Sequence, residues 1–315
     1  MSTSKVIIFG ATGGVGSATA RSAQEHGAKV FLAMRNLGKP IPDLSLEQEQ
    51  AGGFERVRAD LTDPDTVREA VVKTGAKLAF IYAVMGSSDK MRPSIAALKS
   101  AGIEFVVLLS SSSVEGNPRD ISPSDFIAFA HAEVEIALEE IFGTDRFIAV
   151  RPGFFASNSL WWKSSIDHGE VKLPYPELKF DWISPQDIGR VCGMLLANGS
   201  QGIKGVKIPN FVYLFGPEKL SMKDAIAIIA RATGKNIQVT QVDEQEGLHV
   251  MVTQHGIPEP VAEYLIKGFR EYDKNGGLFN TPVYEQAVGN IEKYTNGQPT
   301  MFYQWVEENR RDFGA

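Results

Sequence analysis

Lys5-Val6-Ile7-Ile8-Phe9-Gly10-Ala11-Thr12-Gly13-Gly14-Val15-Gly16 stands near the amino terminus, and its reading decides the fold. Val6 to Phe9 is apolar and partly β-branched, which predicts a buried strand. It runs into Gly10-x-x-Gly13-x-x-Gly16, and a helical pattern follows from Val15 to about His26. Strand, glycine turn, helix is the context that makes a glycine motif a dinucleotide site. Gly10 allows the tight turn, and Gly13 and Gly14 let backbone N–H groups approach a pyrophosphate. The helix start then offers unpaired donors and a positive dipole end. Gly10, Thr12, Gly13, Gly14, Val15 and Gly16 are therefore candidate cofactor contacts; a purely structural turn is the alternative.

The rest of the chain has the alternating pattern such a site needs. Ala28 to Met34 reads as the second strand and ends at Arg35. In a dinucleotide fold an acid at this place bonds the ribose 2′-hydroxyl of NAD, whereas an arginine accommodates the 2′-phosphate of NADP. Arg35, with Lys39 four residues on, predicts NADP(H). Further strands are expected at Phe54–Ala59, Leu78–Ala83, Glu104–Leu109 and Arg146–Val150, with helices between them. Asp60 and Leu61 follow the third strand as candidate adenine contacts. Ala83 and Val84, with Met85 beyond them, open a loop over the expected cofactor cleft. The fifth strand ends in Ser110-Ser111-Ser112-Ser113-Val114-Glu115-Gly116. Serines at the carboxyl end of a strand in an open α/β sheet sit at the ligand crevice, and a serine-rich turn is the other reading. A long helix from about Ser124 to Phe142, capped by Ser122 or Ser124, comes next.

Composition bounds the function. The 315 residues suit one large domain or two unequal ones. The net charge of −6 and the absence of a basic stripe argue against nucleic acid as a partner. No apolar run approaches membrane-spanning length, and Met1 to Lys5 leads straight into a strand without a signal peptide. Cys192 is the single cysteine, which excludes an internal disulfide and suits a cytoplasmic setting. The five histidines have no metal-ligand spacing, and no Gly-x-Ser-x-Gly elbow occurs, so neither a metal site nor a serine hydrolase is expected. Trp161, Trp162, Tyr175 and Trp182 lie close together in the sequence. Aromatics this dense suit a flat substrate or, equally, a small core. Met251, Tyr264, Phe269 and Phe279 are expected to cover that pocket, with Gly276-Gly277 as a mobile connection.

Several of these features together resemble a known family. The GxxGxxG spacing resembles the short-chain dehydrogenase/reductase superfamily, especially its extended and atypical members. Its hallmark is Tyr-x-x-x-Lys on the long helix, where this chain has Ile127 and His131. GATGGVG at the amino terminus, Arg35, His131-x-Glu133-Val134-Glu135, then Arg151-Pro152-Gly153-Phe154-Phe155-x-x-Asn158 and Leu214 to Glu218, look like the NmrA-like family. The resemblance implies a doubly wound α/β (Rossmann), mostly parallel sheet with a smaller, mainly helical carboxyl-terminal substrate domain. It places residues 1–155 in the NADP-binding domain, with 185–215 returning to it, and 156–184 and 216–315 in the substrate domain.

The family includes NADPH-dependent reductases of enones, imines and phenylpropanoids, and regulators that bind NADP(H) without turnover. In the phenylpropanoid branch a lysine at the place of His131 is catalytic. The resemblance implies that Ser110, His131 and Pro152 to Phe155 contact the cofactor. It implies that Ser111 or Ser112 hydrogen-bonds the reacting group, and that Met85, Phe155, Asn158, Trp161, Trp162 and Trp182 line the substrate. Without the tyrosine, a ketone's developing alkoxide lacks its proton donor, whereas an iminium ion needs none. The first expectation is thus an NADPH-dependent reductase of a small apolar secondary metabolite, favouring C=N or C=C over C=O. His131 would serve as ribose contact or acid with a pKa suited to pH near 7, Ser111 as anchor, and Glu115 as carboxylate for an iminium. An NADP(H)-sensing regulator without turnover is the second. A non-redox iminium cyclase or isomerase retaining NADP(H) is the third. A small molecule is the expected partner; nothing in the sequence sets an oligomeric state.

Overall fold

The computed structural model describes residues 3–199, 210–276 and 282–314. In chain order the first elements are β1 (Lys5–Phe9), α1 (Gly14–Glu25), β2 (Lys29–Met34), α2 (Leu46–Ala51), β3 (Glu55–Arg58), α3 (Pro64–Thr74), β4 (Leu78–Tyr82), α4 (Arg92–Ser100), β5 (Phe105–Leu109), α5 (Phe126–Phe142) and β6 (Phe147–Pro152). Next come α6 (Lys163–Asp167), β7 (Glu170–Leu173), β8 (Lys179–Phe180), α7 (Pro185–Asn198), β9 (Phe211–Leu214), β10 (Leu220–Ser221), α8 (Met222–Thr233) and β11 (Gln238–Gln241). The chain continues with α9 (Glu244–Thr253), α10 (Glu259–Asn275), α11 (Pro282–Ala287), α12 (Asn290–Thr295) and α13 (Phe302–Glu308).

Two compact units result. The first comprises Met1–Pro152, Pro185–Leu214 and Asn290–Gly297. Its seven-stranded sheet runs β3-β2-β1-β4-β5-β6-β9, with every neighbouring pair parallel. Strand order reverses between β1 and β4, the switch point at which a doubly wound sheet takes its ligand. Both faces of the sheet are covered, so the strands are apolar throughout: Val6, Ile7 and Ile8 are fully buried. On one face Ile7, Phe9, Ile81, Val106 and Leu108 pack with Val67, Val71, Leu98 and Leu138 of α3, α4 and α5. On the other, α7 lies directly on α1, because Gly189 and Gly193 keep it close. A Cβ on Gly189 would stand 2.3 Å from Ala18 Cβ, and one on Gly193 would stand 2.6 Å from Ser22 Cβ.

The second unit comprises Gly153–Ser184, Phe215–Gly289 and Gln298–Ala315. Its helices surround an aromatic core, but it also carries two small sheets, β10 antiparallel to β8 and β11 parallel to β7. These two- to four-residue strands are too short to show a period of two in sequence.

Several boundaries differ from the sequence reading. Helix α5 starts at Phe126, and neither Ser122 nor Ser124 caps it; the two hydroxyls bond each other at 2.9 Å. The carboxyl-terminal part reads in sequence as helices over 222–233, 259–272, 283–287 and 301–310; the structure adds helix α9, capped by Asp243, and helix α12. Residues 290–297 belong to the first unit rather than to the second. Val206 to Pro209 also reads as a strand in sequence; that stretch, like Gly277 and Phe279 with their expected roles, lies outside the described residues. Among the described residues, no helix is long and apolar enough to cross a membrane.

Candidate cofactor and active site

The glycines of the opening motif do two different jobs, separable by what a side chain would meet. Gly10 adopts φ +75°, and a Cβ there would stand 2.7 Å from the Tyr82 ring. A Cβ on Gly16 would stand 2.2 Å from the Gly10 carbonyl oxygen. Both glycines are therefore demanded by the protein's own packing. Gly13 is different. Its φ of −99° is open to any residue, and its would-be Cβ meets nothing closer than 3.5 Å. Gly14 likewise meets only Pro185, at 3.4 Å. Their bare backbone leaves a hollow in front of the first turn of α1. That turn has no side-chain cap and no acidic residue. Unpaired N–H donors, the positive dipole end and an empty hollow together form a cradle for a phosphate anion.

Beside it, a narrow groove of about 60 Å³ is lined by Gly10, Thr12, Arg35, Asp60, Leu61 and Tyr82. The structure thus gathers six residues from the carboxyl ends of β1 to β4 at one place. Arg35 is exposed there, free to turn toward a phosphate. Asp60 is engaged locally, accepting from the amide and hydroxyl of Thr62 at 3.0 and 2.8 Å. Leu61 is buried, and its carbonyl accepts from Ser94 Oγ at 2.7 Å. Lys39 does not line this groove; its carbonyl accepts from Arg56 at 3.2 Å. Tyr82 was missed by the sequence reading. It sits at the end of β4 with its ring against Gly10, and burial raises its phenol pKa above the ordinary tyrosine range. A polar aromatic closing an otherwise apolar strand was the available signal.

At the end of β5, Ser110 is buried and donates to Glu135 Oε1 at 2.6 Å. Glu135 is gripped bidentately by Arg151, at 3.0 Å from Nε and 2.6 Å from Nη2. The same guanidinium reaches Tyr213 Oη at 3.1 Å and the Gly116 carbonyl at 3.4 Å, and stacks 4.1 Å from the Phe211 ring centroid. Tyr213 in turn donates to the Val114 carbonyl at 2.9 Å. This buried network holds both ends of the serine loop 110–116 against β6 and β9. Its signal was also in the sequence: a charged residue inside an apolar strand demands a buried partner.

Within the loop, Ser112 N–H bonds the Pro152 carbonyl at 2.9 Å. Ser111 Oγ accepts from Ser113 N–H and Oγ at 3.2 and 2.8 Å, which leaves its own proton to donate outward. Glu115 is exposed. Val84 N–H is bonded to Met91 Sδ at 3.2 Å, Ala83 is buried, and Met85 is exposed.

His131 lies one turn before Glu135 on α5. It is half-buried, and its Nδ1 is fully buried with no hydrogen-bond partner. Burial pushes its pKa down to about 4, so the ring is neutral at pH 7. This corrects the expectation of an imidazole poised near neutrality.

In the second unit, Phe154 stacks on Phe180 with ring centroids 4.1 Å apart and meets Trp161 and Trp182 edge-on. Trp182 is 1% exposed, with Nε1 donating to the Leu220 carbonyl at 2.9 Å, and Trp162 is 5% exposed. These two indoles are core side chains with almost no surface left for a substrate. Met251 and Phe269 are buried in the same core. Trp161, Asn158 and Phe155 remain partly exposed. Gly153 has no Cβ because Asp181 fills that space, 2.4 Å away. The Asp181 carboxylate accepts from the amides of Phe154 and Gly216 at 2.8 Å each, and burial raises its pKa to about 7. Among the described residues no group of histidine, cysteine or acidic side chains is arranged to hold a metal. Cys192 is buried, and burial pushes its thiol up, out of reach of thiolate chemistry.

Comparison with known proteins identifies the family and the fold. The pattern defining the NmrA-like family matches residues 2–308. A nitrogen metabolite regulation-like protein of Gibberella fujikuroi is 41% identical over 319 residues, covering 96% of each chain. Festuclavine synthase I of Penicillium roqueforti is 25% identical over 219 residues, 67% of each chain. Among solved structures, the Escherichia coli NADPH-dependent quinone oxidoreductase, complexed with NADPH, matches with a TM-score of 0.72 at 19% identity, over 96% of this chain and 99% of that one. The fold is that of NAD(P)-binding reductases.

Proposed function

The chain belongs to the NmrA-like family, and from that premise we propose that it is an NADPH-dependent reductase of a small apolar substrate, favouring C=N or C=C over C=O. The observation that carries the cofactor is the hollow before α1, where Gly13 and Gly14 lack a side chain for no reason internal to the protein. The uncapped amides of α1 would hold the pyrophosphate, and Arg35 the 2′-phosphate. When bound, NADPH supplies a hydride. Ser111 directs its free proton at the substrate's polar atom. His131, neutral and half-buried, would meet a sugar hydroxyl through the part of its ring that stays accessible, since Nδ1 is fully enclosed.

The preference for substrate follows from charge. A ketone gaining hydride develops a full negative charge on oxygen, and no cation replaces the family's lysine here, since His131 stays neutral. An iminium ion gaining hydride loses its charge and needs no acid. Glu115, exposed on the loop, would attract such a cation.

The test is NADPH consumption against cyclic iminium ions, enones and ketones of matched size. Turnover should be greatest with the first two classes; consumption of ketones alone would refute the preference. The name of the 41% identical relative favours a second reading, a sensor that binds NADP(H) without turnover. Tight NADPH binding with no consumption across the whole panel would establish it over the first.

A further inference from the structure

A second cavity in the first unit touches the expected cofactor loop at Val84 and is otherwise lined by residues with no role above. It is a half-open hollow of about 150 Å³ between the loop after β4 and the first turns of α5. Val84, Lys90, Phe126, Phe129, Ala130 and Val134 form most of its wall. These α5 residues recur at three- and four-residue spacing, so they share one face of the helix, while His131 and Glu135 lie on the next. Phe126, on the cavity wall, is 42% exposed.

One charged group stands at this wall, and the backbone is strained to place it. Lys90 and Met91 are consecutive non-glycine residues in the left-handed region, at φ 57° and 58°. Such strain persists only where surrounding structure over-determines it. Here Met91 is locked from both sides. Its amide is held by Ser87 Oγ at 3.2 Å and Asp89 Oδ1 at 2.9 Å, and its sulfur accepts from Val84 N–H. The result holds Lys90 Nζ 4.4 Å from the Phe129 ring centroid and 3.0 Å from Glu133 Oε2. The ammonium has three donors, and the carboxylate takes one.

We propose that this cavity is a binding site for a small aromatic carbonyl compound. The volume matches a space known to take one benzene ring, and Phe126 and Phe129 both line it. The spare Lys90 donors select an oxygen acceptor. Glu133 already balances the lysine's charge, so a neutral carbonyl is preferred over a carboxylate. The site is built within one unit, and its chemistry rests on Lys90, Phe126 and Phe129 rather than on the NADP(H) reading.

The test uses the full chain without cofactor and three probes in ligand-observed NMR titrations: acetophenone, ethylbenzene and benzoate. Acetophenone should bind saturably, with ethylbenzene about tenfold weaker for want of the oxygen and benzoate weaker still. Ala130→Leu should fill the cavity and abolish acetophenone binding. Lys90→Met, which keeps the stem over Phe129, should erase the difference between acetophenone and ethylbenzene. Absence of acetophenone binding to the wild type, equal binding of ethylbenzene, or undiminished binding to either variant would overturn the proposal.

Discussion

Gly13→Ala and Gly16→Ala separate a glycine kept for a ligand from one kept for the fold. At Gly16 the new methyl would stand 2.2 Å from the Gly10 carbonyl oxygen and 2.7 Å from its carbon. Both are backbone atoms that no rotamer change can move. Overpacking of this kind costs about 1–3 kcal/mol, so Gly16→Ala should lower the melting temperature by several degrees and disturb the turn. At Gly13 the nearest atom is 3.5 Å away, an ordinary contact, and the extended φ,ψ of −99°,156° suits alanine. Two small terms oppose each other there. Replacing a glycine N-cap by alanine costs about 0.5–1 kcal/mol, and restricting the unfolded chain returns about 0.4–1 kcal/mol. Gly13→Ala should therefore melt within a degree or two of the wild type. Its methyl, however, enters the hollow before α1. Losing even one backbone–phosphate bond of about 1.5–3 kcal/mol weakens NADPH binding by about ten- to a hundredfold. Thermal melts paired with calorimetric titration of NADPH read the two effects separately. Unchanged NADPH affinity in a well-folded Gly13→Ala protein would refute the cradle.

Other expectations follow from the same geometry. Arg35→Ser should weaken NADPH by about ten- to a hundredfold and leave NADH unaffected, since one charged phosphate bond is lost; equal losses for both cofactors would place Arg35 elsewhere. Arg151→Met leaves the buried Glu135 carboxylate without its cation and should cost about 3–5 kcal/mol, measurable by chemical denaturation. The double variant Glu135→Leu/Arg151→Met should recover much of that loss. His131 and His255 both have pKa values pushed down to about 4 by burial. Their unfolded forms bind protons first as pH falls, so their contribution to stability is full above pH 6.5 and is lost from there down to about 4. His131→Gln should flatten that fall by up to about 3 kcal/mol. The difference between variant and wild type reads it cleanly, because the opposing titration of Asp181 cancels.

The alternation of strands and helices, the glycine turn and the arginine after β2 were all legible in the chain, because each is local. A buried parallel strand is a short apolar run, and the motif's meaning depends only on what precedes and follows it. The replacement of the family's tyrosine and lysine by Ile127 and His131 was legible for the same reason. What those replacements do was not. The neutrality of His131 comes from the atoms packed around it, and no spacing encodes desolvation. Trp162 and Trp182 read equally as substrate wall or core until burial placed them in the core.

Sequence alone determined the fold class and the candidate cofactor edge of the sheet, since both rest on hydrophobic period and on residues adjacent along the chain. Tertiary structure decided which glycine answers to a ligand and which to a neighbouring carbonyl. It paired Glu135 with Arg151, laid Tyr82 over Gly10 and left His131 Nδ1 without a partner. Each of these depends on groups brought within a few ångströms from distant segments, where excluded volume and the loss of water set the energy.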